Sequence, residues 1–261
     1  MAGDILASSR RLKRRRVIRR YFRILIIPFI LPVFLVFLAY LPWFRIQEIE
    51  ITGGEEKEGV IKDLIKENLK KKFFLVFPKD NFFLIDKENL IREIAKAFAE
   101  IEKVNLKKSF ISRKIKVEIK NRRIFAFICD EPNCFYLDDE GNIFKESPLI
   151  SGALMLEVVA SSSAREKLSL GGSVDGENFK KISFLAKKFE ENYKEKPSKI
   201  ILSENVSELI LASGLKIILD LENEPEKILR NLDIALQNAK DRKNLEYIDL
   251  RFGNKVYYKF R

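Results

Sequence analysis

Twenty-one consecutive residues, 24–44, carry no charged side chain and are bounded by Arg23 and Arg45. As a helix, this segment would extend about 30 Å, which is the thickness of the hydrocarbon core of a bilayer. Tyr40 and Trp43 lie near its far end, where aromatic rings favour the headgroup region. The segment therefore predicts an uncleaved transmembrane signal anchor. A cleaved signal peptide and a buried core helix are the two alternatives.

The formal net charge of the chain is +11, and most of this charge precedes the uncharged segment. Residues 1–23 contain nine Arg or Lys side chains and one acidic residue, Asp4, whereas residues 45–261 are close to neutral. Because basic residues that flank a span stay on the cytoplasmic side, we expect a cytoplasmic amino terminus and an extracytoplasmic body. The basic tail is expected to contact anionic lipid, and no nucleic-acid partner is predicted.

The chain contains no histidine, which excludes a Ser-His-Asp triad, a Cys-His pair and an HExxH zinc site. Asp138, Asp139 and Glu140 could act as paired catalytic carboxylates, but their position before Gly141 predicts solvated turn residues. We therefore predict no catalytic, cofactor or metal site and no small-molecule substrate. An anchored cell-wall enzyme that uses carboxylates is the less favoured alternative.

Residues 45–121 show the pattern of a first domain. Apolar residues alternate through 44–52, recur at helical spacing through 57–71, and follow Asp86 as the stripe of a second helix. Two further strands are predicted at 101–106 and 114–120. The order strand, helix, helix, strand, strand predicts a sheet with two helices on one face.

Residues 122–261 contain short strands, turn signals and two helical patterns, which predict a mixed sheet with flanking helices. The complete prediction is an α+β chain in which a transmembrane helix precedes these two domains. Within the second domain, Cys129 and Cys134 face each other across a predicted hairpin. A disulfide is favoured there over a metal site, because two cysteines cannot supply four ligands.

The last predicted hairpin is the candidate binding site. Its strands, 248–252 and 255–260, are joined by Gly253 and Asn254, and no later predicted strand covers the second one. A bare sheet edge can accept a strand from another chain. Lys255 and Lys259 would oppose self-pairing. Apolar contact area would come from Val256, Tyr257, Tyr258 and Phe260, although the alternative is that such aromatic residues only pack the sheet.

Four motifs occur in an order that resembles the FtsQ/DivIB family of bacterial cell-division proteins. They are F-x-I-x-x-I-x-I-x-G from Phe44, N-F-F-L-I-D at 81–86, Y-L-D-D-E-G-N-I-F at 136–144 and Y-I-D-L-R-F-G-N at 247–254. The resemblance implies a cytoplasmic tail at 1–23, a transmembrane signal anchor at 24–44, a POTRA-type domain at 45–121 and an FtsQ-type β domain at 122–261.

The resemblance also implies a function and a site. Members of the family are non-enzymatic membrane scaffolds that link cytoplasmic and extracytoplasmic division proteins and bind partners of the FtsB and FtsL type. Their last strands, with an Arg-aromatic pair at the start, bind FtsB. Carried over by motif, this pair is Arg251 and Phe252, with Asn254 in the adjoining turn. Another POTRA-bearing envelope assembly or transport factor is the alternative.

Overall fold

The computed structural model describes most of the chain beyond residue 40. The described residues are 21, 30, 32–34, 36–38, 40–73, 77–130, 132–149, 155–160, 168–174, 176–203, 206–239, 241–253 and 255–261. They form two compact units. The first unit falls within residues 1–95 and 103–120, and the second contains residues 96–102 and 121–261.

The first unit contains a three-stranded sheet and two helices. In chain order its elements are β1 (Glu48–Thr52), α1 (Glu58–Lys70), the short pair β2 (Lys72–Phe73) and β3 (Phe77–Pro78), α2 (Lys87–Ala97), β4 (Ile101–Ser109) and β5 (Lys114–Asn121). The sheet order is β1-β5-β4, and β1 runs parallel to β5 with Glu48 opposite Lys114. Short 3-10 turns at Pro42–Phe44 and Glu55–Lys57 flank β1.

Alternating burial explains why these segments form a sheet covered by helices. Ile115 and Val117 on β5 are fully buried, while Lys114, Lys116 and Glu118, which alternate with them, are only partly buried. Helix α1 buries Ile61 and Ile65, which lie four residues apart on one face. Asp86 Oδ1 accepts a hydrogen bond from the Asn89 backbone N–H at 3.0 Å, which caps the amino end of α2.

The second unit is built on a nine-stranded sheet, counting the described strands. These are β6 (Ala126–Asp130), β7 (Asn133–Leu137), β8 (Ile143–Ser147), β9 (Glu157–Ala160), β10 (Pro197–Leu202), β11 (Ser207–Leu211), β12 (Lys216–Leu219), β13 (Leu245–Asp249) and β14 (Tyr257–Phe260). Their spatial order is β14-β13-β12-β11-β10-β9-β6-β7-β8. Two helices, α3 (Gly176–Tyr193) and α4 (Pro225–Asn238), and a 3-10 turn at Arg242–Asn244 complete this unit.

Both helices of the second unit connect parallel strands. Strands β9 and β10 are parallel and flank α3, while β12 and β13 are parallel and flank α4. Such pairs need a long crossover connection, which a helix supplies. Phe179 and Phe189 from α3 and Leu232 from α4 join Ile200 and Ile248 from the sheet in one buried apolar cluster.

The fold class predicted from the sequence is wrong. No helix among the described residues is long and apolar enough to cross a membrane. Nine of the described strands form one sheet, where the prediction was a transmembrane helix, a POTRA-type domain and a mixed β-sheet domain with flanking helices. Residues 24–29, 31, 35 and 39 of the predicted anchor lie outside the described residues.

The far end of the uncharged segment shows one physical reason for this error. Leu41 has φ −62° and ψ 134°, an extended conformation, and Pro42–Phe44 forms a separate 3-10 turn. The residue before a proline avoids the helical region because its backbone clashes with the proline ring. A count of uncharged residues does not register this break, so it overestimates the length of a continuous helix.

Gly53 and Gly59 make a matched test of the first sheet. Gly53 has φ +86°, and a Cβ there would overlap the Ile119 carbonyl oxygen on β5, whereas the Cβ of Gly59 would meet open space. We expect Gly53→Ala to lower the free energy of unfolding by at least about 2 kcal/mol. Gly59→Ala should raise it by roughly 0.5–1 kcal/mol, because alanine favours helix α1. Urea denaturation of both variants measures the difference, and equal effects would contradict this account.

Candidate protein-binding edge

Strand β14 lies at one end of the nine-stranded sheet. It pairs antiparallel with β13, placing Tyr258 opposite Ile248 and Tyr257 opposite Asp249. No other described strand lies on its far side. One long side of β14 is therefore a sheet edge within the described part of the chain.

The backbone of β14 directs alternate N–H groups toward and away from β13. The Arg261 N–H donates to the Asn244 carbonyl oxygen at 2.8 Å, which fixes the inward direction at that position. Alternation along an antiparallel strand then turns the N–H groups of Tyr257 and Lys259 inward and those of Tyr258 and Phe260 outward. The edge thus presents two outward donors to an incoming strand.

The side chains of β14 are exposed on both faces of the strand. Tyr257 is 50% exposed, and Tyr258 and Phe260 are each 40% exposed. The Tyr258 and Phe260 rings form an edge-on pair with centroids 5.6 Å apart. Aromatic rings that are exposed in this way provide apolar area that becomes buried when a partner binds.

Arg251 and Phe252, the predicted Arg-aromatic pair, lie together at the entrance to this hairpin. Arg251 Nε and Nη2 donate to the two carboxylate oxygens of Asp249 at 2.9 and 2.6 Å. The Arg251 Cζ atom lies 5.3 Å from the Phe252 ring centroid, and that ring packs edge-on against Tyr257 at 5.3 Å. A continuous series of contacts therefore links the buried Asp249 to the exposed strand.

Hydrogen bonding within this pair shifts both pKa values. The hydrogen bonds from Arg251 lower the pKa of Asp249, although partial burial opposes the shift. The same carboxylate raises the pKa of Arg251. Both groups therefore stay charged near neutral pH, which holds the guanidinium in place beneath the Phe252 ring.

The remaining predicted site residues have different surroundings. Lys259 forms an ion pair of 2.6 Å with Glu246 on β13, which raises the pKa of Lys259. Lys255 is exposed. Val256 is partly buried and packs against the buried apolar cluster, so it attaches the hairpin to the core. Asn254 lies outside the described residues.

Two contributors to this site were not found by sequence reasoning. Asp249 is buried and positions Arg251, and Asn231 Nδ2 on α4 donates to the Gly253 carbonyl oxygen at 2.6 Å. Asp249 belongs to the I-D-L-R-F motif, which gives a local signal for its pairing two residues later. Asn231 carries no such signal, because its contact depends on where α4 packs.

The prediction that Asp138 is a solvated turn residue is wrong, as the turn between β7 and β8 shows. Asp138 is only 4% exposed, so it is not a solvated turn residue. Its carboxylate accepts hydrogen bonds from the Asn142 backbone N–H at 2.8 Å and from Arg122. Asp139 is exposed and is paired with Lys187. These contacts stabilise the turn, and no cluster of metal-binding side chains occurs among the described residues.

The structure joins the Sγ atoms of Cys129 and Cys134 in a disulfide across the β6–β7 hairpin. The two residues are directly opposite each other in the strand register. This bond lies at the other end of the sheet from β14 in strand order. It therefore stabilises a hairpin and does not shape the candidate edge.

Comparison with models of known protein families finds no match, and no curated protein matches the chain either. The resemblance to FtsQ/DivIB proteins therefore stays a prediction that rests on the motifs.

The Asp249–Arg251 pair makes stability depend on pH. The folded-state pKa of Asp249 is lower than its unfolded value, so its contribution is present at neutral pH and is lost as the pH falls through the folded pKa. Since Arg251 is partly exposed, we expect Asp249→Asn to cost only about 1 kcal/mol at pH 7. The difference from the native protein should shrink below about pH 4. Urea denaturation at several pH values measures it.

Glu246→Gln is the matched control, because Glu246 lies on β13 like Asp249 and also pairs with a cation, but its side chain is more exposed. We expect little change in stability from this variant at any pH. An Asp249→Asn effect that stays constant from pH 7 to pH 3 would contradict the assignment.

Proposed function

We propose that this chain is a non-enzymatic scaffold protein of the bacterial cell-division machinery. It would link cytoplasmic and extracytoplasmic division proteins by binding membrane partners of the FtsB and FtsL type. The observation that carries the proposal is the edge of β14, which combines outward backbone donors with exposed aromatic side chains. The order of the FtsQ/DivIB-like motifs supports the choice of partner.

Strand addition is the binding mode that this edge favours. A partner strand would accept the outward N–H groups of Tyr258 and Phe260, while the exposed rings would contact its side chains. In this binding mode, hydrogen bonds between the two backbones supply affinity, and pockets for side chains supply specificity. The exposed Lys255 and the ion-paired Lys259 disfavour addition of a second identical strand, because they would bring like charges together.

We also propose that the chain acts at the bacterial cell membrane, with residues 45–261 outside the cytoplasm. The charge bias across residues 24–44 supports this orientation, whatever conformation that segment adopts. The Cys129–Cys134 disulfide supports it independently, since such bonds are rare in the cytosol.

Proline at Tyr258 tests the edge directly. Tyr258→Pro removes an outward donor while leaving the bonds between β14 and β13 in place, so the fold should persist. Co-purification of FtsB- and FtsL-type partners with the tagged full-length protein should fall at least about tenfold, the loss expected for roughly 1.4 kcal/mol. Circular dichroism and the level of protein in the membrane check that folding and insertion are unchanged.

Tyr258→Ala is the matched control, because it removes the same ring but keeps the N–H donor. It should reduce partner recovery less than Tyr258→Pro does. Phe260→Pro removes the second outward donor and provides an independent test. Undiminished recovery with both proline variants would contradict the proposed edge.

Orientation is tested by a reporter at the carboxyl end. Alkaline phosphatase fused after Arg261 should be active, because it folds only outside the cytoplasm. A cytoplasmic reporter fused at the same position should be inactive. The reverse pattern would contradict the proposed localisation.

A further inference from the structure

An exposed aromatic cluster lies at one end of the first unit. Ring centroids of Phe44, Phe82, Phe83 and Phe110 lie 5.3–6.1 Å apart in five contacting pairs. Trp43 precedes the cluster in the chain, and Ile111 follows it at the turn between β4 and β5. We call these six residues the aromatic cluster.

Backbone hydrogen bonds bring three separate segments together at this cluster. The Phe82 N–H donates to the Phe44 carbonyl oxygen at 2.7 Å, and the Ile46 N–H donates to the Asp80 carbonyl oxygen at 2.9 Å. At the third segment, the Gln47 N–H donates to the Arg113 carbonyl oxygen at 2.9 Å, which joins the turn between β4 and β5 to the Phe44 segment. The Arg113 N–H closes that turn by donating to the Phe110 carbonyl oxygen at 3.2 Å. The rings are thus held by the fold and are not on unconstrained loops.

The outer members of the cluster are open to solvent. Ile111 is 97% exposed, Trp43 is 78% exposed and Phe83 is 67% exposed. Side chains of this size are usually buried, and a contiguous exposed group of them marks a binding surface. Their aromatic character, with a single tryptophan in the whole chain, is typical of residues at the headgroup level of a membrane.

Positive charge lies beside the rings, on the segment that contains Phe110. Residues 107–114, which include the turn, contain four Lys or Arg side chains and no acidic residue. Lys108 Nζ lies 5.5 Å from the Phe82 ring centroid and donates to the Phe82 carbonyl oxygen at 3.2 Å. Two of these four cations are compensated by ion pairs, Lys107 with Glu118 and Lys114 with Glu48. The net positive charge of the segment therefore comes from Lys108 and Arg113.

A cavity of about 610 Å³ on the same unit is lined by several basic residues, among them Arg45, which follows Phe44 in the chain. Three lysines of α1, at four-residue spacing, line it together with Arg45. Two carboxylates also line it, but Asp80 accepts hydrogen bonds from Arg45 and Glu48 is paired with Lys114. The three lysines are Lys62, Lys66 and Lys70.

We infer that the first unit docks on the surface of an anionic bilayer, with the aromatic cluster at the headgroup level and the neighbouring cations against lipid phosphates. The uncharged segment 24–44 ends inside the cluster at Phe44, so the segment and the cluster are continuous. That continuity and the excess of cations favour lipid over a protein partner. The inference rests on the proposed membrane localisation and does not depend on which proteins bind β14.

The experiment places one tryptophan at a time on the full-length chain. Trp43→Phe removes the native tryptophan, and Ile111→Trp in that background reports on the β4–β5 turn, 67 residues from the end of the uncharged segment. The protein is reconstituted into vesicles of phosphatidylcholine and phosphatidylglycerol, with or without brominated acyl chains. We expect brominated lipid to reduce the Ile111→Trp emission roughly twofold, with a shift to shorter wavelength.

Val60→Trp in the same background is the matched control. Val60 is also largely exposed, but it follows the carboxyl end of β1, whereas the turn at 110–113 lies beside the amino end of β1. Its emission should be insensitive to brominated lipid. Equal quenching at both positions would indicate non-specific adsorption and would overturn the inference.

Two further comparisons distinguish the remaining outcomes: quenching in vesicles of different charge, and quenching of the native Trp43. Quenching of Ile111→Trp should weaken in vesicles of phosphatidylcholine alone and at high salt; full quenching there would overturn the role of the cations. Quenching of native Trp43 without quenching of Ile111→Trp would leave the membrane localisation standing and overturn the docking. If neither tryptophan is quenched, both the localisation and the docking are wrong.

Discussion

The second unit depends on the pairing of backbone N–H and C=O groups along one continuous ladder of strands. Each inner strand satisfies these groups on both sides, and the two crossover helices bury the apolar face that the ladder creates. The ladder leaves β14 paired on one side only among the described strands. The free edge that makes β14 a candidate binding site thus exists because the other strands already pair their backbone N–H and C=O groups with each other. The exposed rings of β14 add apolar contact area beside its unpaired backbone groups. Strand addition uses both kinds of group, backbone hydrogen bonds for affinity and side-chain contacts for specificity.

The first unit exposes apolar surface in a different form. Its sheet buries alternate residues of β5. The aromatic side chains that are not in this core lie together in the aromatic cluster, at one end of the unit. An edge strand offers directional hydrogen bonds and so selects a partner with a free strand. A ring cluster with cations offers no such direction, and it suits a fluid surface of lipid headgroups. The two surfaces therefore differ in the kind of partner that each one suits.

Local patterns in the sequence anticipated several details correctly. The alternation of Ile115, Val117 and Ile119 coincides with the buried positions of β5, and Pro225 stands at the start of α4. Other details failed where distant residues intervene. Asp138 looks like a solvated turn residue, yet Arg122 covers it and it is buried. The fold class failed because uncharged length was equated with a continuous helix, and because the size of the sheet depends on which short strands pair.

By itself, the sequence determined the properties that arise within a few neighbouring residues. These are the charge bias before the uncharged segment, the absence of histidine chemistry, the facing cysteines of one hairpin and the aromatic character of the last strand. Only the tertiary structure decided that Asp249 holds Arg251 beneath Phe252, that Asn231 anchors the adjoining turn, and that four phenylalanines from three segments form one cluster. The physical reason is that periodicity records which face of an element is buried, whereas contacts between elements depend on how the buried faces pack together.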